Sequence, residues 1–403
     1  MKNKFEIFNA DMLDKLWRAS DNMKDIELDG RREIYPNMIR VSEAWDELYF
    51  YEKLKLYCSE LSYQQMSNAN RLAHTIEDFA LINDIVDTIE KGDYSQILGI
   101  KIFNKLRASL ESVRLDKGVN FDEIQDIIAL IRHAQRELGD EDSIRAFSIV
   151  SNISIRSINN RDKKYSQLFI AANSEILNIH YVKNKKFKLQ PGIYKNMITL
   201  ALNISKKSFF NSINVKKMQS EYDILPQNKY EWAAQFAECY KNQISKKDAK
   251  SYYHYCMGYI HYSAKEYLEA HKYLLKLKGV RGMFINLSAK ALHLKVLYDA
   301  YIYGQETHIN SIKNIKKILD SYRKLIEDDK KRKEELNYQI EYHVSFLNNF
   351  GKLFNFQQKY DEVSLNTNLK KEKKRIKQQL QQTFFALEYH FKGWLLQKLD
   401  EIR

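Results

Sequence analysis

Apolar residues recur every three or four positions along nearly the whole chain. Leu72, Ile76, Phe79, Ile82, Val86 and Ile89 form one such stripe, and Phe284, Leu287, Ala291, Leu294, Tyr298 and Tyr301 form another. Leu336, Ile340, His343, Leu347, Phe350 and Phe354 make a third, and Ile376, Leu380, Phe384, Leu387, Phe391 and Leu395 a fourth. That spacing keeps each set on one face of an α-helix, and the face must pack against a neighbour. Period-two alternation, the mark of a half-buried strand, is absent at any length. Gly92-Asp93, Lys117-Gly118, Gly139-Asp140, Gln190-Pro191-Gly192, Leu225-Pro226 and Gly279 interrupt the pattern. The breaks predict about sixteen helices of roughly 15–25 residues joined by short loops.

A hairpin of two such helices leaves an apolar face that only the next hairpin covers. The expected fold class is therefore all-α: a right-handed α-solenoid of stacked antiparallel helix hairpins, in one continuous body. Composition agrees, because the 403 residues include only 12 Gly and 3 Pro, against about 12 % in average usage. Folds rich in tight turns need more of both. With Tyr 27 and Phe 20, much of the core must be aromatic.

One stretch is legible in finer detail. Residues 252–277, YYHYCMGYIHYSAKEYLEAHKYLLKL, begin with five tyrosines in eleven positions. The tetratricopeptide pattern, a helix–turn–helix unit of about 34 residues, has a large residue then Gly in its first helix, and Ala then an aromatic in its second. Met257-Gly258 fit the first pair, Ala270 stands twelve residues after Gly258, and Leu274 takes the later aromatic position. The closing Pro of the pattern is missing, with Gly282 near its place. Gly258 and Ala270 are small so that the two helices approach closely, and large neighbours fill the surrounding volume. Most of the tyrosines are then packing. Tyr255 and Tyr262 are the candidates for a partner-facing surface, the rival reading being that they pack the next hairpin.

The wider chain resembles an uncharacterised family of bacterial tetratricopeptide-like all-helical repeat proteins. The resemblance rests on YFYEKLKLYCSELSYQQ at 49–65, GIYKNMITLALNISK at 192–206, the unit just described, NLSAKALHLKVLYDAY at 286–301 and GWLLQKLDEI at 393–402. It covers most of residues 40–403 and implies a helical solenoid without catalytic residues. Members often extend further at the N-terminus, which would make residues 1–40 a shortened or divergent start. The organisation expected is an N-terminal arm or cap at 1–40, a helical repeat body at 41–383 and a C-terminal capping helix at 384–403. In that last helix Trp394 is expected inward, with Lys398, Asp400 and Glu401 outward.

Charge is unevenly spread. Residues 1–175 hold 24 Lys+Arg against 30 Asp+Glu, whereas residues 176–403 hold 41 against 22. Between Glu175 and Glu221 there is no acid, but there are nine lysines: Lys183, Lys185, Lys186, Lys188, Lys195, Lys206, Lys207, Lys216 and Lys217. A second cluster is LKKEKKRIK at 369–377, where Lys370, Lys373, Lys374 and Lys377 share a helix face. Such stripes suit a phosphate backbone, and Phe187, Tyr194, Phe209 and Phe210 lie near the first of them for stacking on bases. Against that stands residue type: only 5 of the 41 basic residues after position 175 are Arg, the side chain suited to bidentate phosphate and guanine contacts. Lys, Asn and Ile are also enriched together, as an AT-rich genome would produce.

Signatures of nucleotide-binding loops, serine hydrolases, zinc proteases and kinases are missing from the sequence. His254, His261 and His271, with Cys256 between, form the densest histidine cluster, but no carboxylate or second thiolate stands at ligand spacing. Asp122-Glu123 and Glu334-Glu335 open helices, where acids complement the helix dipole. Cys58, Cys239 and Cys256 read as reduced, buried small hydrophobes. No apolar run approaches the length of a membrane span, and MKNKFEIFNADMLDKLW carries acids where a signal peptide is apolar.

The sequence thus predicts a cytoplasmic protein that is not an enzyme, with no cofactor and no membrane partner. Its expected role is a scaffold or adaptor that binds a protein or peptide, acidic where lysine steers it. Tyr255, Tyr262, Lys183, Lys185, Lys186, Lys188, Lys206 and Lys207 are the candidate contact residues. The alternative is a nucleic-acid-associated regulator using the lysines of 183–217.

Overall fold

The computed structural model describes residues 34–67, 82–115, 117–159, 162–182, 187–204, 213, 215–221, 226, 228–277, 283–304, 311–330, 337–361, 367–387 and 391–402. They form fifteen helices and no strands among the described residues. Lys183, Lys185, Lys186, Lys206, Lys207, Phe209 and Phe210, the start of the first stripe (Leu72 to Phe79) and Leu336 lie outside the described residues. Among the described residues no helix is long and apolar enough to cross a membrane. The chain divides into two compact units, residues 1–176 and 177–403. The division falls where the sequence changes from net acidic to net basic.

In the first unit α1 (Ile34–Ser67), α3 (Leu98–Arg114) and α4 (Phe121–Asn159) pack on one another, and α2 (Ile82–Lys91) adds to α1. α5 (Ser166–Val182) begins in this unit. Gly99 is required by contact: a Cβ there would lie 2.6 Å from Cε2 of Tyr51, so α1 and α3 approach as closely as they do only because that side chain is absent. α4 runs in two arms, because Gly139 takes φ 72° and ψ 174° within it. Gly139 therefore interrupts the helix as the sequence predicts. Ile82, Val86 and Ile89, the described part of the first stripe, are buried.

In the second unit α6 (Pro191–Ala201), α8 (Lys229–Tyr240), α9 (Lys246–Ser263), α10 (Tyr267–Leu275), α11 (Met283–Ile302), α12 (Ser311–Lys330), α13 (Asn337–Asp361), α14 (Thr367–Phe385) and α15 (Lys392–Glu401) pack in chain order, with short α7 (Lys216–Glu221) against α8. α6 touches α8 and α9; α9 touches α10 and α11; α11 touches α12 and α13; α13 touches α14 and α15. Pro191 sits in the first turn of α6, where its missing N–H has no partner to lose.

The core of this unit is aromatic. Trp232, Phe236 and Tyr240, four apart on α8, stack in sequence at 5.2 and 4.7 Å between ring centres. Leu287, Ala291, Leu294 and Tyr298 of the second stripe are buried, as are Ile340, His343, Leu347, Phe350 and Phe354 of the third. The fourth stripe departs from the prediction of one helix at 384–403. α14 ends at Phe385 and α15 starts at Lys392, and Lys392 Nζ closes the end of α14 by donating to the Phe385 carbonyl at 2.6 Å. Phe384 and Leu395 are both fully buried on either side of that turn.

Candidate functional site

The tyrosine-rich helix α9 packs on α10 through the two small residues expected to allow it. A Cβ at Gly258 would stand 2.9 Å from both Cγ and Cδ2 of Leu274, and Ala270 is fully buried. Lys265 turns the chain between the helices with φ 65°, a conformation costly for a residue with a Cβ. Tyr255 and Tyr262, seven apart, both face inward. Tyr255 is 6 % exposed. The Tyr262 hydroxyl donates to Asp299 Oδ2 at 2.9 Å and accepts from Trp394 Nε1 at 2.9 Å. This corrects their assignment as surface contacts: Tyr255 is buried, and the Tyr262 hydroxyl is taken up by Asp299 and Trp394 of later helices.

Asp299 is the centre of a buried polar cluster. Lys398 Nζ pairs with its Oδ1 at 2.9 Å, and both side chains are 4 % exposed. Lys398 also reaches Glu401 at 2.8 Å and the Tyr303 hydroxyl at 3.3 Å. Burial opposes its charge, but Asp299, Glu401 and Tyr303 outweigh burial and hold the ammonium above the ordinary lysine value. Lys398 was expected outward. It points inward, where Asp299, Glu401 and the Tyr303 hydroxyl offset the desolvation of its charge. Trp394 does face inward, stacking on Phe350 at 6.0 Å and edge-on to Tyr298 at 5.5 Å. Beside this cluster lies a cavity of about 260 Å³ between α11, α13, α14 and α15, with Tyr301, Tyr360, Lys373 and Glu401 in its walls.

Two further lysines of the second unit are enclosed without a carboxylate at ion-pair distance among the described residues. Lys295 Nζ stands over the rings of Phe391, Trp394 and Phe346 at 4.8, 5.3 and 5.9 Å. Burial pushes its ammonium down to about 8, with Asp299 acting in the opposite direction. Lys195 on α6 is lowered by burial too, and its charge is felt at Cys256 and at His343. Cation–π attraction is the force available to Lys295, and it ties α11 to α13 and α15.

The histidines do not converge. His261 Nδ1 meets Glu266 Oε2 at 2.6 Å, and His271 Nδ1 meets His293 Nε2 at 2.8 Å. Among the described residues no group of three His, Cys, Asp or Glu side chains could hold a metal. All three cysteines are free and buried.

The described lysines of the basic stretches differ in their surroundings. Lys188 is exposed. Lys217 Nζ donates to the Cys239 carbonyl at 2.7 Å and pairs with Glu221 at 3.4 Å. On α14 the expected single face is divided. Lys377 Nζ donates to the Ile402 carbonyl at 2.7 Å and Lys373 stands 5.8 Å from the ring centre of Tyr360, so both serve packing. Lys370, Lys371 and Lys374 are exposed, as are Lys313, Lys316, Lys317 and Lys324 on α12. A smaller cavity of about 170 Å³ lies at the N-terminal end of the second unit, walled by His180, Tyr181, Phe187 and Tyr240 with Lys217 and Gln243. Sequence reasoning found Lys217 and Phe187 but missed His180, Tyr240 and Gln243, because they come from three different segments.

No protein-family model, no curated protein and no solved structure matches the chain.

Proposed function

We propose that the protein is a non-catalytic adaptor, a helical-repeat solenoid of tetratricopeptide type in its second unit, which binds an acidic protein segment. The observation that carries the reading is the order of packing in that unit. Each of α6, α9, α11 and α13 touches its own hairpin partner and the next helix of the same rank, as stacked hairpins do. The close approach at Gly258 and Leu274 supports it. The partner surface proposed is the exposed face of α14 at Lys370, Lys371 and Lys374. Exposed lysines raise association rates toward an acidic partner without needing a defined geometry. The acid-free stretch 176–220 favours a second reading, a nucleic-acid-associated regulator.

The test is capture on the tagged full-length chain with and without nuclease, followed by reconstitution of the captured partner from purified components. The adaptor reading expects a partner that survives nuclease and is weakened about tenfold or more by Lys370→Glu, Lys371→Glu and Lys374→Glu together, with the melting temperature unchanged. Captured nucleic acid lost on nuclease treatment would replace it with the second reading. A reconstituted complex indifferent to the triple charge reversal would remove α14 as the surface.

A further inference from the structure

The smaller cavity carries a ligand class of its own, independent of the adaptor reading. Its walls are flat rings: His180 and Phe187 lie parallel, 4.4 Å between centres and 6° between planes, with Tyr240 and Tyr181 contributing further ring surface. Its volume, about 170 Å³, is close to that of cavities that accept a single aromatic ring. An apolar slot of this kind would need no polar lining, yet this one has it. Among the described residues the Tyr240 hydroxyl and Gln243 Oε1 are buried without a hydrogen-bond partner, and Tyr240 as a residue is 1 % exposed. Buried polar atoms are normally satisfied, so two orphans beside one cavity point to a polar occupant.

The surroundings narrow the occupant. Lys217 Nζ stands 5.0 Å from the centre of the Tyr240 ring and is partly open to solvent. Lys188, next to Phe187 in the chain, is exposed. Lys217 Nζ also donates to the Cys239 carbonyl at 2.7 Å and pairs with Glu221 at 3.4 Å, so a phosphate there would share the ammonium with that carboxylate. A flat heterocycle stacks on rings. An amide oxygen accepts from an exocyclic amine on such a ring's edge. A lysine ammonium at the rim suits the phosphate that follows.

We propose that this slot binds an amino-bearing nucleobase, adenine being the simplest, with its phosphate toward Lys217. The base would lie against the aromatic walls and donate its amine to Gln243 Oε1, while the Tyr240 hydroxyl takes a ring nitrogen. The same chemistry is offered by a free nucleotide and by the end of a single strand.

The experiment is calorimetric titration of the full-length chain with AMP, adenosine, UMP, inorganic phosphate and a short single-stranded oligoadenylate, beside thermal melts with each. AMP and adenosine should bind and raise the melting temperature, with AMP the tighter. UMP, which lacks the exocyclic amine, should be about tenfold weaker, and phosphate alone should not compete. Phe187→Ala should cost about tenfold or more in AMP affinity. Gln243→Met should abolish the preference for AMP over UMP, with the fold verified by an unchanged melt. If oligoadenylate binds more tightly than AMP, a strand end is the source; if equally, a free nucleotide is. Either result upholds the slot. Absence of AMP and adenosine binding at millimolar concentration would overturn the proposal, as would binding that Phe187→Ala and Gln243→Met leave unchanged.

Discussion

The acidic unit and the basic unit each bury a lysine against an aspartate that also receives a tyrosine, and the two clusters differ mainly in depth. In the first unit Tyr51 donates to Asp142 Oδ2 at 2.6 Å, and Lys55 Nζ reaches the same oxygen at 3.0 Å and Glu52 at 2.7 Å. In the second, Tyr262 and Lys398 take the two oxygens of Asp299, and Glu401 stands on Lys398. The Asp142 side chain keeps 16 % of its surface and Asp299 only 4 %. Solvent shares the work in the first cluster. In the second, protein groups must satisfy the charges alone, so the same chemistry becomes a stricter constraint on structure.

The largest expected effect breaks the deeper cluster. Asp299→Ala leaves the buried Lys398 ammonium with only Glu401 and the Tyr303 hydroxyl, and Lys398→Met leaves the buried carboxylate with only the Tyr262 hydroxyl; with almost no water to make up the loss, each should destabilise the second unit by about 3–5 kcal/mol in urea unfolding. Asp142→Ala should cost less, about 1–2 kcal/mol, because Lys55 retains Glu52 and water. Equal losses would erase the distinction between the two.

Each unit also has a glycine at which a Cβ would meet a neighbouring side chain. Gly258→Ala drives a Cβ into Leu274, and Gly99→Ala drives one into the ring of Tyr51, whose hydroxyl serves Asp142. Alanine is the better helix former by about 1 kcal/mol, but overpacking costs about 1–3 kcal/mol. Both variants should melt lower than the parent. Gly99→Ala should in addition lessen the penalty of Asp142→Ala, since the tyrosine bond is already disturbed.

Acid separates the units differently. Burial pushes the imidazole of His293 down to about 3 and that of His343 down to about 4, below the ordinary 6.5 or so of an unfolded chain. The unfolded chain therefore takes up protons first. The stability tied to neutral imidazoles is whole above pH about 6.5 and drains as pH falls toward the folded values, at pH 5 by about 2 kcal/mol for each histidine. Melting curves between pH 7 and pH 5, resolved by hydrogen exchange, should show the second unit loosening first. The smallest effect is a gain: Lys265→Gly relieves the positive φ between α9 and α10 and should add up to about 1 kcal/mol, measured as a rise in melting temperature.

The parts of this molecule that were legible in sequence are those set by local spacing. The stripe of Leu287, Ala291, Leu294 and Tyr298 is buried as its period requires. Gly258 and Ala270 meet where their twelve-residue separation places them, and Gly139 breaks its helix. Even half of each ion cluster is local, since Glu52–Lys55 and Lys398–Glu401 are three residues apart. Asp142 and Asp299 were not legible, because 87 and 99 residues separate them from their lysines in the chain. The same limit explains Lys398, whose outward assignment followed from its charge alone, and Tyr262, whose bonds reach α11 and α15. The slot at Tyr240 and Gln243 escaped for the same reason, since no periodicity links α5, α8 and the turn after it.

The most direct test is a pair of double-mutant cycles in the full-length chain, Asp299→Ala with Lys398→Met and Asp142→Ala with Lys55→Met. Each is read as the opening free energy of its own helices by hydrogen exchange. The buried pair should couple by about 2 kcal/mol or more and the shallower one by under about 1 kcal/mol. Equal couplings, or a deeper pair whose two single losses simply add, would contradict this.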